Sequence, residues 1–146
     1  FRSMEPENIH TIIMTAHCYL DLNDYDKALK YYFRVEYKEP DNLKILRPIA
    51  YCYFALGRFD DSEKYYERLS AGKLTAHDLI NKGHLALCKG KKREAVDLYR
   101  QSIISDEITS DQFMNIFAGD QNLLVSLGVN PDDLPILLDY LLFSIR

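Results

Sequence analysis

Leu22-Asn23-Asp24-Tyr25-Asp26-Lys27-Ala28-Leu29-Lys30-Tyr31-Tyr32 is followed, 34 residues later, by Leu56-Gly57-Arg58-Phe59-Asp60-Asp61-Ser62-Glu63-Lys64-Tyr65-Tyr66. A leucine, a turn residue, an aromatic, a small residue and a tyrosine pair recur in step. Upstream, Ala16, Cys18 and Tyr19 meet Ala50, Cys52 and Tyr53 at the same spacing. A third copy, one residue shorter, sets Gly90, Glu94, Ala95 and Tyr99 against Gly57, Asp61, Ser62 and Tyr66, with Gly83 in the place of Ala50 and Ala86 in that of Tyr53. A repeat of this length with small residues at fixed slots is the signature of stacked helical hairpins, since one hairpin cannot bury its apolar face alone.

The spacing predicts first helices over Ile9–Leu22, Leu43–Leu56 and Ala76–Lys89, and second helices over Tyr25–Lys38, Phe59–Ser70 and Lys92–Ile104. Paired helices that cross closely need minimal side chains at the crossing. Ala16, Ala50 and Gly83 supply them on the first helices, and Ala28, Ser62 and Ala95 on the second. Tyr19, Tyr53, Tyr32, Tyr66 and Tyr99 then fill the space between neighbours. Asn23, Gly57 and Gly90 fall where each first helix ends, and these residue types tolerate a left-handed C-terminal turn. Asp24 and Asp41 are expected N-caps, and Thr75 with Asp78 has capping-box spacing. Pro40 ends the first copy. Pro48 lies about one turn inside its helix, so that helix either starts later or bends there.

With these residues in place the pattern resembles the tetratricopeptide repeat, in which Leu, Gly/Ala, Tyr, Ala, an aromatic and Pro recur along a helix–turn–helix unit. The first copy matches at Ile12, Ala16, Tyr19, Ala28, Tyr32 and Pro40; the second at Leu46, Ile49, Ala50, Tyr53, Ser62, Tyr66 and Leu69; the third at Leu79, Gly83, Ala95 and Tyr99. The resemblance covers about Ile9 to Glu107. It implies an all-α fold: a right-handed α/α superhelix of three such hairpins (9–42, 43–75, 76–107), closed by a two-helix C-terminal cap (108–146), all in one domain.

After Glu107 the period fails. Thr109 and Gln112 have capping-box spacing before a helix expected from Gln112 to Leu127, with Gly128 as its stop. Asn130-Pro131-Asp132-Asp133 reads as a second start, with Asn as N-cap and acids in the first turn. The helix from Leu134 to Ile145 is apolar nearly all round, so it is expected to be buried on more than one side. It either closes the end of the stack or contacts another copy or an absent domain, with Leu138 and Leu142 as the residues of a self-association surface. The run from Asp120 to Asp139 is similar to the tails of long tetratricopeptide-type proteins of Bacteroides-like bacteria, which implies the C-terminal part of a longer chain.

The composition narrows the function classes. With 18 basic against 22 acidic residues the net charge is −4, which disfavours phosphate-backbone binding. The run Lys89, Lys91, Lys92, Arg93 reads as a solvated turn. Three cysteines, Cys18, Cys52 and Cys88, read as free buried thiols of a reducing, cytoplasmic setting. The longest apolar run is too short to span a bilayer. His10/His17 and His77/His84 are each seven apart, about 10.5 Å along a helix, too far for one metal without a third element. His84 and Cys88 are four apart on one helix but have no third group in sequence to make them a catalytic pair. No phosphate loop or nucleophile elbow occurs. No cofactor, no metal site and no enzymatic activity are expected.

The resemblance implies instead a non-enzymatic protein–protein interaction module, with a protein or peptide held in the concave groove of the first helices. Carried over by slot, the groove residues are His17, Lys44, Arg47, Tyr51, Phe54, Ile80 and His84. The Lys and Arg that grip a terminal carboxylate in some family members are missing: those slots hold Ile13, His17, Pro48, His77 and Asn81. Aromatics mixed with cations suit a peptide with apolar anchors and some acidic character.

Overall fold

The computed structural model describes residues 8–70 and 74–145, with side chains for 8–69 and 74–143. Eight helices occur among the described residues, and no strand: α1 Ile9–Asp21, α2 Tyr25–Lys38, α3 Leu43–Ala55, α4 Phe59–Ser70, α5 Ala76–Cys88, α6 Lys92–Ile104, α7 Ser110–Ser126 and α8 Asp133–Ile145. The fold is all-α, as expected. Contacts divide the chain into two units, Phe1–Leu69 with α1 to α4 and Ser70–Arg146 with α5 to α8. Residues 71–73 of the expected second copy lie outside the described residues.

In the first unit α1 pairs with α2, and α2 with α3. Helix starts are set by side chains that accept orphan backbone N–H groups. Asn8 accepts from the His10 N–H, Asp24 from Lys27 and Asn42 from Lys44. Asn42, not the expected Asp41, caps α3. Each first helix ends in the same backbone turn. The N–H of Asp24 reaches the Tyr19 carbonyl and that of Asn23 reaches Leu20, while Arg58 and Gly57 reach Tyr53 and Phe54. This double closure is the Schellman motif, and it puts Asn23 at φ 59° and Gly57 at φ 79°.

The crossing slots are closed to solvent: Ala16, Ala50, Ala28 and Ser62 all have 0% exposure. Ser62 adds a bond there, donating its hydroxyl to the Ala50 carbonyl at 2.7 Å. Tyr32 and Tyr66 are buried behind them. Tyr19 stacks on Tyr31, and Tyr53 packs on Tyr65, so the repeated tyrosine slots make repeated ring pairs. Glu36 of α2 accepts from the Tyr65 hydroxyl and pairs with Arg68, tying α2 to α4.

Helix α3 begins at Leu43 and runs through Pro48 to Ala55. The ring occupies the place of the N–H that would bond the Lys44 carbonyl. Burial of Ile45, Leu46, Ile49 and Ala50, with the Asn42 cap, holds the helix together across that loss.

In the second unit Thr75 and Asp78 form the expected capping box, and Glu107 accepts a further α5 N–H, that of Ala76, at 2.8 Å. Gly90 and Gly128 close α5 and α7 with the same backbone pair of bonds at positive φ. Gly83 is buried, and a Cβ there would lie 2.5 Å from Tyr99 Cε1, so only glycine fits. Thr109 and Gln112 form a second capping box. Asn130 accepts the Asp132 N–H ahead of α8, whose helical run begins at Asp133. Both α7 and α8 pack on α6.

Candidate partner-binding faces

Helical spacing places His10, Ile13, Met14 and His17 on one side of α1. They line a cleft of about 400 Å³ with Ile9, with Glu39 and Asn42 from the α2–α3 turn, and with Lys44 at the start of α3. Ile13 is buried, His17 half-buried and Lys44 exposed, so apolar surface lies beneath a polar rim that carries the Lys44 ammonium. Glu39 is the acid of this lining, and it accepts from Asn42 Nδ2.

His17 is held from below. Its Nδ1 lies 2.5 Å from the hydroxyl of Tyr32, a fully buried residue of α2. Burial first, then the nearby Cys52 and Asp21, push the Tyr32 phenol well above its ordinary range, so it stays protonated. A protonated phenol can donate to Nδ1, and in that tautomer the imidazole carries its proton on Nε2. No partner for that nitrogen occurs among the described residues.

The expected groove residues of α3 divide. Arg47 and Tyr51 are half-buried, with Tyr51 against Tyr25 and Phe54. Phe54 is fully buried and packs on Phe59 of α4, so it belongs to the core of its unit.

In the second unit Ile80 and His84, with 1% exposure each, are also core residues. His84 sits in a chain of bonds. Its Nδ1 lies 2.7 Å from the Tyr99 hydroxyl and its Nε2 2.9 Å from Asp120 Oδ2 of α7. Phe117 of α7 packs on both rings, and Phe113 on Tyr99. Burial, with Cys88 and Asp120 nearby, raises the Tyr99 phenol well above its ordinary range. Asp120 accepts only, so Nε2 carries the proton and Tyr99 donates to Nδ1. With both ring nitrogens engaged, His84 has none left for Cys88, whose thiol burial pushes up to about 11. The pair is not poised for nucleophilic chemistry.

Sequence reasoning missed this Tyr99–His84–Asp120 chain. A signal existed: His17 and Tyr32 are 15 apart, as are His84 and Tyr99, and the two pairs occupy equivalent slots of the first and third copies. Asp120 had none, because it lies where the period has stopped.

A second cleft, of about 640 Å³, separates α6 from α8 and is lined by Lys92, Arg93, Val96, Asp97, Arg100, Asp133, Ile136, Leu137 and Tyr140. Lys92 pairs with Asp133 at 3.0 Å, and Arg100 with Asp97. On α8, Ile136, Tyr140 and Phe143 form an exposed stripe. This corrects the expected self-association residues: Leu138 is buried, with 9% exposure, and Leu142 is half-buried. Among the described residues no helix is long and apolar enough to cross a membrane, and no group of three or more His, Cys, Asp or Glu is placed to hold a metal.

Residues 1–69 match the model of the family described as anaphase-promoting complex, cyclosome, subunit 3. The type III secretion translocator chaperone SycD of Yersinia enterocolitica, in its alternative dimer form, has a similar fold. The TM-score is 0.62 at 15% identity, over 86% of this chain and 96% of that one. No curated protein matches the sequence. Period, crossing residues and the shared fold agree on a tetratricopeptide-like helical-repeat fold, and the family model matches its first 69 residues.

Proposed function

We propose that the chain is a non-enzymatic protein–protein interaction module that holds a peptide or partner protein on the groove face of its first helices. The observation that carries this reading is the surface of the first unit, where His17 and Lys44 line a cleft with buried Ile13, and Arg47 and Tyr51 are half-buried on α3. Half-buried aromatic and Arg side chains are the usual anchors of protein interfaces. The partner class is supported by a fold shared with a type III secretion translocator chaperone. Phe54, in the core of the same unit, supports Tyr51 from behind. Three free cysteines fit a reducing cytoplasmic setting.

Peptide-array binding by the wild type and by the Arg47→Ala, Tyr51→Ala double variant tests the reading, with circular dichroism to establish that the variant is folded. Loss of binding by the folded variant is the expected result. Equal binding by both removes this groove from the account.

A second reading rests on the Ile136–Tyr140–Phe143 stripe. It makes the chain a structural or self-association domain that docks through α8 within a larger protein. Light scattering across concentration separates the two. A dimer dissolved by Tyr140→Asp and Phe143→Asp favours the second reading, and a strict monomer at all concentrations sets self-association aside.

A further inference from the structure

We propose that the His17–Tyr32 pair is a carboxylate-receiving site, which binds an Asp or Glu side chain presented by an amphipathic helix of a partner protein. The inference rests on the groove reading above and adds the chemistry of one contact. It comes from comparing two equivalent slots of the same chain. In the third copy the buried tyrosine donates to the histidine Nδ1, and Nε2 is completed by a carboxylate, Asp120, carried on a helix that also lays Phe117 against the imidazole. In the first copy the tyrosine is likewise closed to solvent and the histidine Nδ1 lies against its hydroxyl. The ring packing matches too, with centroids 5.6 Å apart against 5.5 Å. The difference is what lies outside. His84 is covered by α7, whereas His17 opens into the cleft of about 400 Å³.

Charge and shape point to the same occupant. His17 offers an N–H and Lys44 an ammonium from the cleft lining, the lining acid Glu39 accepts from Asn42 Nδ2, and a charge-assisted bond to a carboxylate is stronger than one between neutral groups. Ile9, Ile13 and Met14 supply the apolar wall against which a neighbouring aromatic of the incoming helix would pack, as Phe117 does on His84. In the tautomer in which Tyr32 donates to Nδ1, the Nε2 hydrogen is the one left to face the cleft.

The probe is an acetylated, amidated peptide copying residues 113–124, which carries Asp120, together with its Asp120→Asn form. Histidine side-chain nitrogen spectra of the full chain are recorded during titration. The expected result is a saturable shift of the His17 ring signals. The Asn form should bind at least tenfold more weakly, and the His17→Phe variant, which keeps the ring but not the donor, should lose the preference. No His17 shift up to millimolar peptide, equal affinity for both peptides, or a shift of His84 in place of His17 would each overturn the proposal. Peptide binding that depends on Arg47 and Tyr51 but is indifferent to Asp120 and His17 would overturn the carboxylate site while leaving the groove reading intact.

Discussion

Three glycines should respond to the same substitution in three ways. At Gly83 an added methyl would stand 2.5, 2.7 and 3.1 Å from Cε1, Cδ1 and Cζ of Tyr99. Carbon atoms pack at about 3.5–4.0 Å, so the ring must retreat by roughly 1 Å. It has little room to do so. Tyr99 is fully buried, bonded to His84 at 2.7 Å, and flanked by Phe113 and Phe117. Overpacking such a site costs about 1–3 kcal/mol. Stretching the buried bond to His84 adds about 1 kcal/mol, and the better helix propensity of alanine returns about 1 kcal/mol. Gly83→Ala should therefore destabilise by about 1–3 kcal/mol on balance. Gly119, exposed in α7 with nothing within 4 Å of a built Cβ, should gain up to about 1 kcal/mol from the same change. Gly90 also has open space, but its φ of +81° should make Gly90→Ala cost about 1–2 kcal/mol. Urea unfolding followed at 222 nm gives all three values. If Gly83→Ala matched or exceeded the wild type in stability, the crossing argument behind the fold would be wrong at its tightest point. A Tyr99→Leu background supplies a second check. There the Gly83→Ala cost should shrink, which a double-mutant cycle reads directly.

Ser62→Val should cost more than Ser62→Ala, because the slot is closed at the α3–α4 crossing and the hydroxyl bonds the Ala50 carbonyl. Removing the bond alone is expected to cost about 0.5–1.5 kcal/mol in the same unfolding assay. Thiol titration with an aromatic disulfide should find exposed Cys18 reacting at once, while buried Cys52 and half-buried Cys88 react far more slowly until urea is added. Stability should also fall in alkali. Burial raises the Cys52 thiol from 9.0 to about 12, so above pH 9 the unfolded chain releases a proton that the folded one keeps. Stability is then full below that pH and declines by up to about 1.4 kcal/mol per pH unit for each such group. Tyr32 and Tyr99, also raised, steepen the decline at higher pH. Urea midpoints at neutral pH and above pH 9 measure it, and unchanged midpoints would contradict the burial of these groups.

The helical hairpins were legible because their requirements are local or periodic. Ala16, Ala50 and Ala95 mark crossings that demand small volume, and Asn23, Gly57 and Gly90 mark a turn that demands a left-handed residue; all six lie where expected. Capping was nearly as legible, with Asn42 displacing Asp41 by one position. Pro48 was undecidable, because a missing N–H weighs against burial of neighbours whose packing no local pattern reveals. The binding face was harder to read. Slot position gives the side of a helix on which a residue sits, but not whether a later element covers that side. His84 holds a groove slot and is covered by α7, which lies beyond the end of the period. Phe54 likewise turns to Phe59. His17, in the slot equivalent to that of His84, keeps its outward nitrogen because nothing among the described residues closes over it.

The turns that end α1, α3, α5 and α7 have one further property. Each is fastened by two bonds in which donor and acceptor both belong to the main chain. No ionisable group takes part, so acidification or strong salt has nothing there to neutralise or screen, in contrast to the surface ion pairs around Arg58, Lys92 and Arg100. Fastening of this kind also places few demands on amino-acid identity, only that one position tolerate positive φ. A segment ending in such a turn carries its own means of closure into any new sequence context, a property that suits a chain grown by copying one hairpin after another.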